Sequence, residues 1–400
     1  MIEKLRVKNF RCLRDVEVPL GPLNFLIGPN NTGKSSFIEA IEVLSRCMRA
    51  DYVGQAFHEL AVRLERTLTQ PGAGGLLEYG AEVTWAASAA LGRRAQYELA
   101  LRDNPTAAQG GERVLIEREA VRLADGQGSA LASFTRTGAA QPQSMVTYPG
   151  GSTEPLVLYG VHCTIPHSMQ KRGDARLAAL VAALRSTPKY SLVPQRVAAP
   201  CQLEESGEFL ADGFGLASCL DKLNQTDPSR FAMIEDALRL FVPDVQMVRF
   251  PAAGPGQKTI LFHERRGAKV YASDASDGLL LFLAHLTVAY AFGDVSVVLV
   301  EEPETGVSPH RLRAIVELLR AISRGALGSP PVQVVATSHS PYLLDWCSKD
   351  EVIFFSRDEA GDVRVKPLAD VPDIDERIED FESLGAWIYA AGEQACRSHS

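Results

Sequence analysis

Apolar and charged residues alternate from the start of the chain. Leu5, Val7 and Phe10 mark one strand and Val16 and Val18 a second, with a turn between them. Gly21-Pro22 then leads into a third strand, Leu23-Asn24-Phe25-Leu26-Ile27. After Ser36 the period lengthens: apolar residues at 37, 38, 41, 44 and 48 predict a helix. Residues 50–70 continue as helix until Pro71-Gly72-Ala73-Gly74-Gly75 breaks the pattern. From 76 to about 165 the spacing is that of short strands, predicted at Tyr79–Trp85, Ala95–Leu101, Arg113–Leu123 and Leu156–Tyr159. The Gly-, Gln-, Ser- and Pro-rich stretches 104–111, 125–129 and 138–151 read as connectors.

The second half returns to longer elements. A short helix is expected at Leu177–Leu184 and an extended segment at Lys189–Pro194. Helices follow over 213–241, one of them starting at Asp227-Pro228. Val245–Phe250, Thr259–Phe262 and Lys269–Ala272 form a small antiparallel set. The order then becomes helix Gly278–Phe292, strand Ser296–Val300, helix Pro309–Ser323, strand Val332–Ala336 and a last strand near Val352–Phe355. Strands alternating with helices predict an α/β ending on a parallel sheet. No internal repeat and no heptad block of coiled-coil length is present.

The junction between the third strand and the first helix carries the clearest chemistry. Gly28-Pro29-Asn30-Asn31-Thr32-Gly33-Lys34-Ser35, followed by Ser36, is a complete phosphate-binding loop in the strand–loop–helix setting it requires. Its glycines let backbone N–H groups turn inward around phosphates, and the helix N-terminus adds partial positive charge. Lys34 would serve the β- and γ-phosphates and the Ser35 hydroxyl a Mg²⁺ ion. A nucleoside triphosphate is the ligand this loop predicts. No Asn-Lys-x-Asp guanine motif is present.

Two later strands end in candidate chemistry of their own. Val297-Val298-Leu299-Val300 has the apolar, mostly β-branched character of a central parallel strand, and it ends in Glu301-Glu302-Pro303-Glu304. Ligands bind at that edge of open α/β sheets. Glu301 is placed to hold Mg²⁺ through its water shell, and Glu302 to orient or deprotonate an attacking water. Val334-Val335-Ala336-Thr337-Ser338-His339-Ser340-Pro341 is a second such strand, ending in a histidine that could report the γ-phosphate. Ser276-Asp277-Gly278 opens the long apolar helix; Ser276 is a natural N-cap, and Gly278 would let a phosphate approach the helix start.

That order of motifs resembles an ABC-type ATPase head of the branch containing SMC, RecF and OLD proteins, and in particular the "AAA family" ATPases of bacteria. Leu5-Arg6-Val7-Lys8-Asn9-Phe10-Arg11-Cys12-Leu13, Ala211-Asp212-Gly213 with Leu216, Pro309-His310 and Leu384-Gly385-Ala386-Trp387 are similar to that branch as well. The resemblance implies a P-loop NTPase of α/β class and ABC-head type: a mixed central sheet with an antiparallel β region and a helical lobe. On that layout residues 1–200 form a first ATPase lobe, 201–294 a helical signature lobe, and 295–400 return to the core. It also implies a homodimer closed around two ATP molecules, each held between one subunit's phosphate loop and the other's Ser276–Gly278. Glu302 would then be the catalytic carboxylate and His339 the switch histidine. The chain departs from the pattern in its shortened Ser-Asp-Gly signature and in Ser308, where Asp or His is often seen. Gln195 is the candidate glutamine-loop residue. No coiled coil, TOPRIM-like half or HNH motif is recognisable.

Composition narrows the alternatives. The opening Met1-Ile2-Glu3-Lys4-Leu5-Arg6 predicts no signal sequence, and the apolar stretch 279–292 is too short to span a bilayer, so a cytoplasmic location is expected. Seven dispersed cysteines predict reduced thiols rather than a disulfide framework or a zinc site. A net charge of −8 does not suit a nucleic-acid coat. The basic groups Lys4/Arg6/Lys8/Arg11/Arg14, Arg93/Arg94 and Arg265/Arg266/Lys269 read as solvated hairpin edges. The expectation is an ATP-hydrolysing dimer in DNA maintenance or anti-phage defence, with a separately encoded nuclease or toxin effector and DNA as candidate partners. An ATP-gated scaffold with little turnover is the alternative. A small-molecule kinase fits less well, because paired carboxylates and a histidine suit activation of water.

Overall fold

The computed structural model describes residues 1–60, 64–69, 75–85, 93–104, 113–138, 143–160, 162–202, 210–291, 295–326, 330–381 and 383–392. Its centre is a six-stranded sheet in the order 189–190, 297–301, 333–337, 23–27, 352–357, 363–367; the first five strands are parallel and the last is antiparallel. Both faces are covered, which is why these strands are nearly continuous apolar runs. Phe25, Ile27, Val298, Val300, Val334, Ala336, Val352 and Phe354 pack into one core with the helices 216–226, 228–241, 277–291 and 312–324. Leu26, Val297, Leu299, Val335, Ile353 and Phe355 face the other core, built on the phosphate-loop helix Lys34–Cys47.

That second core is closed by an eight-stranded antiparallel sheet, ordered 13–19, 2–10, 76–84, 94–103, 114–124, 130–137, 143–147, 153–155. Gln333 fastens the two sheets together. Its Oε1 accepts from Ile2 N at 2.9 Å, and its Nε2 donates to the carbonyls of Ile2 and Gly21 at 2.7 and 2.8 Å. The helix Asp277–Ala291 is apolar on all sides and buried, as such a sequence requires. Burial pulls the pKa of His285 within it down to about 4, so the ring is neutral, and Nδ1–H donates to Leu281 O at 2.8 Å.

Several expectations change. Leu156–Tyr159 is not a strand: ladder pairing ends at Pro155, and although Leu156 and Leu158 pack against the second core, Val157 and Tyr159 are exposed and no strand lies alongside. Conversely, Gln143–Thr147 lies inside a predicted connector yet pairs with Ala130–Thr137. A helix Ile165–Lys171, capped by Thr164, and a closing strand Val363–Pro367 were not predicted. The extended segment 189–194 is strand only at Lys189–Tyr190, and Pro194 starts a helix. Most of the connector 104–111 and most of the breaker 71–75 lie outside the described residues.

Candidate functional site

The phosphate loop leaves the buried strand Leu23–Ile27 with backbone angles that side chains rarely adopt: φ is 135° at Gly28, 63° at Asn31 and 99° at Gly33. Gly28 passes so close to the neighbouring strand that a Cβ there would lie 2.0 Å from Phe355 O. Lys34 folds back over the loop, its Nζ donating to Gly28 O and Pro29 O, both at 2.7 Å. Thr32 Oγ1 donates to Pro29 O at 2.8 Å, and Arg357 Nε donates to Asn31 O at 2.9 Å. The loop is therefore held in shape by its own lysine and by the next strand. Burial lowers the Lys34 pKa to about 8, with Glu302 pulling it back up. Asn30 and Ser35 are exposed, and the Ser36 hydroxyl accepts from the Cys12 thiol at 3.5 Å.

Strand order places the other candidates at the same edge. Glu301 lies in register with Thr337, and its half-buried carboxylate is 3.3 Å from Lys189 Nζ. Glu302 turns out of the sheet at φ 47°, a left-handed conformation that costs a non-glycine residue about 1 kcal/mol or more. Its N–H donates to Thr337 O at 3.1 Å, and its Oε2 accepts from Thr305 Oγ1 at 3.3 Å. His339 Nε2 is 3.9 Å from Glu302 Oε1. Partial burial lowers the His339 pKa, and the Lys34 charge lowers it further, against the opposing pull of Glu302 and Glu304. The ring is neutral at pH 7, free to donate from one nitrogen and accept at the other. Lys34, Glu302 and His339 thus lie within electrostatic reach of one another.

Ser276 and Gly278 stand at the start of helix Asp277–Ala291. Ser276 Oγ accepts from Leu279 N at 3.4 Å, the N-cap bond expected of it. The helix start rests against the loop after the Glu pair: a Cβ on Gly278 would be 3.7 Å from Arg311 Cδ, and one on Gly306 3.4 Å from Asp277 Oδ2. Helix 277–291 packs on 194–198, 216–226, 228–241 and 312–324, whereas the phosphate-loop helix packs on 53–59, 178–185 and strands 2–10 and 333–337. Gln195 is exposed in the first turn of helix Pro194–Ala198, just beyond the edge strand 189–190.

Lys189 and Glu304 take part in the contacts of this edge without having been assigned from the sequence. Lys189 gave no local signal, because its partner is reached only through sheet pairing. Glu304 stood in the Glu-Glu-Pro-Glu motif without a role; its Oε1 accepts from Ser338 Oγ at 2.6 Å and from His339 N at 3.1 Å. Two motifs of the resemblance have structural explanations. Asp212 accepts from Arg196 Nε at 2.8 Å and Phe214 N at 3.0 Å. Gly385 packs where a Cβ would be 2.0 Å from Pro341 O, and its N–H donates to Asp345 at 2.9 Å, docking the buried Trp387 segment on the helix after His339.

The arrangement offers backbone donors and an ammonium for phosphates, and oxygen donors at Ser35 and Glu301 of the kind a hard divalent cation takes. Glu301 already carries a cationic neighbour in Lys189, which fits a carboxylate placed to meet positive charge.

Two family models match the chain: "AAA ATPase domain" over residues 1–64, and "AAA domain, putative AbiEii toxin, Type IV TA system" over residues 204–345. An OLD nuclease of Thermus scotoductus is 50% identical over 44 residues, 11% of this chain and 8% of that protein. The DNA replication and repair protein RecF of Chlamydia abortus is 43% identical over 58 residues, 14% of this chain and 16% of that protein. The chain therefore matches only a small part of the length of either relative. Among solved structures, an Smc head bound to the C-winged helix domain of ScpA aligns over 91% of this chain and 97% of its own, at TM-score 0.49 and 12% identity. Among the described residues no helix is long and apolar enough to cross a membrane.

Proposed function

We propose, for a chain that is an ABC-type ATPase head of the RecF, SMC and OLD branch, that it binds ATP with Mg²⁺ and hydrolyses it as a homodimer. The observation that carries this reading is the convergence of Lys34, Glu302 and His339 at one sheet edge: the three follow adjacent parallel strands, and His339 Nε2 is 3.9 Å from Glu302 Oε1. Residues 28–36 bind the triphosphate, with Lys34 on the β- and γ-phosphates. Ser35 and Glu301 would hold Mg²⁺, which would supply charge neutralisation. Glu302 orients or deprotonates the attacking water, and neutral His339 contacts the γ-phosphate. Ser276 and Gly278 complete the site of a second subunit; their separate packing neighbours within one subunit support that assignment.

Turnover by wild type and by Glu302→Gln tests the assignment. The amide keeps the shape and cannot take a proton, so turnover should fall about 100-fold or more while ATP binding persists and dimer accumulates in light scattering. Wild-type turnover by Glu302→Gln would remove Glu302 from the reaction.

The names of the relatives point to DNA maintenance, and the toxin-system family model to defence with a separate effector; both come to this chain as proposals. On the antiparallel sheet Lys4, Arg6, Lys8, Arg118 and Arg122 are each paired with a carboxylate, which leaves little positive charge there for DNA. An ATP-gated scaffold with little turnover is supported by one feature. Ser308 Oγ is engaged 3.3 Å from His310 Nε2 within its own loop, where the resembling family often has Asp or His to signal across subunits. Tight ATP binding with near-zero, DNA-independent turnover would favour that second reading.

A further inference from the structure

We propose that Glu304 is the positioning residue of His339, coupling the loop after the Glu pair to the loop after strand 333–337. The proposal rests on the ATPase reading above. A single carboxylate oxygen, Oε1, accepts from the Ser338 hydroxyl at 2.6 Å and the His339 amide at 3.1 Å. The first is in the range of a charge-assisted bond. Ser338 is fully buried, and its Oγ accepts in turn from Ser340 N at 3.1 Å. Ser340 Oγ then accepts from Leu343 N at 3.3 Å, capping the helix Pro341–Leu344. Glu304 therefore fixes three consecutive residues, with His339 in the middle.

The same side chain belongs to the turn that shapes Glu302. Thr305 N donates to Glu302 O at 3.0 Å and Val307 N donates to Glu304 O at 2.9 Å, so residues 302–307 form one hydrogen-bonded unit. Movement of that unit carries Ser338 and His339 with it. Among the described residues Glu304 Oε2 is buried without a hydrogen-bond partner, a costly state for a carboxylate whose only task is to accept two bonds. A neutral amide could accept both bonds through its oxygen. What the amide lacks is the negative charge beside the His339 ring.

A double-mutant cycle with a spectroscopic readout tests the coupling. Glu304→Ala should slow ATP turnover about tenfold with KM for ATP within about threefold, and the loss should vanish in a His339→Ala background, because coupled residues are non-additive. Glu304→Gln keeps the acceptor and should retain most turnover. NMR titration of the His339 imidazole should move to lower pH in Glu304→Gln, since a negative charge that favoured the imidazolium is gone. Additive losses in the cycle, or an unchanged His339 titration in Glu304→Gln, would overturn the proposal. If the wild-type chain turns over no ATP, the ATPase reading fails alone. The titration and the exchange rate of the His339 amide in Glu304→Ala then still decide whether Glu304 positions His339, faster exchange supporting it and unchanged exchange overturning it.

Discussion

The two large sheets of this molecule handle charge and backbone strain in opposite ways. Along the antiparallel sheet, burial alternates through strands 76–84 and 130–137, and the outer face is a lattice of ion pairs: Lys4–Glu17, Arg6–Asp15, Lys8–Glu78, Arg118–Glu78 and Arg122–Glu98. Its positive-φ positions sit mostly in the connecting turns, at Arg11, Gly128, Gly138, Gly150 and Gly151, with Asn9 near the end of strand 2–10. At the C-terminal edge of the parallel sheet Lys34 Nζ bonds backbone carbonyls, and among the described residues Glu304 Oε2 is buried without a partner. There the left-handed backbone falls on the chemical residues themselves, at Gly28, Asn31, Gly33 and Glu302. One sheet spends its charges on itself; the other holds Lys34, Glu302 and Glu304 in positions where an incoming ligand changes their energy. Strain and unmet charge coincide at the edge proposed above as the ATPase site.

The comparison breaks most visibly at Gly28. An alanine there must hold a φ of 135° with its Cβ 2.0 Å from a neighbouring carbonyl oxygen, so the loop and strand 352–357 have to separate. Gly28→Ala should cost about 3 kcal/mol or more of stability and abolish nucleotide binding. Gly128→Ala, also at positive φ but with open space around it, is the control. It should cost only the backbone strain, about 1 kcal/mol. Thermal melts of the two variants, with and without ATP, provide the check; equal losses would mean that the strained edge is no different from an ordinary turn.

Legibility in the sequence followed the same division. The parallel strands were readable because burial on both faces leaves unbroken runs such as Val297-Val298-Leu299-Val300, and the ends of those runs pointed to Glu301, Glu302 and His339. The far strands of the antiparallel sheet were not. In Gln143–Thr147 only Val146 is buried, so pairing there leaves almost no hydrophobic trace. The run Leu156–Tyr159 misled for the converse reason, being apolar without a partner strand. Lys189 and Glu304 were silent because each acts on a residue brought close only by sheet pairing or by a turn. Ser276 was readable as a cap, which the structure bears out, but no single chain can display what a second copy would bring to it.

Lys34 sharpens the comparison through pH. Burial lowers the pKa of its ammonium to about 8. A bound triphosphate favours the charged form, so the complex holds the proton to higher pH. Binding therefore takes up a proton above pH 8, and affinity falls as pH rises, by up to about tenfold (about 1.4 kcal/mol) per unit. Fluorescent-nucleotide titrations from pH 7 to about pH 9.5 should show this slope. Lys34→Arg should flatten it, because a guanidinium stays charged throughout. In Glu302→Gln the fall should begin at lower pH, since the carboxylate that favours the ammonium is gone. A flat wild-type profile would mean that Lys34 is not the phosphate cation.

The smallest effect belongs to the ion-pair lattice. Arg6 meets Asp15 through two bonds, Nε to Oδ1 at 2.7 Å and Nη2 to Oδ2 at 2.6 Å, yet 53% and 41% of the two side chains remain exposed. Solvent and salt screen such a pair, so Arg6→Ala should lower stability by less than about 1 kcal/mol, and by less still in high salt. ATP affinity and turnover should stay at wild-type values, because nothing in this pair reaches the parallel sheet's edge. The DNA question turns on the same variant. Asp15 already neutralises Arg6, so removing the arginine should leave DNA affinity unchanged in a filter-binding or anisotropy assay at low salt. A severalfold loss of DNA binding in Arg6→Ala would mean that phosphates compete successfully with Asp15. The antiparallel face would then be a nucleic-acid surface after all, despite its balanced charge.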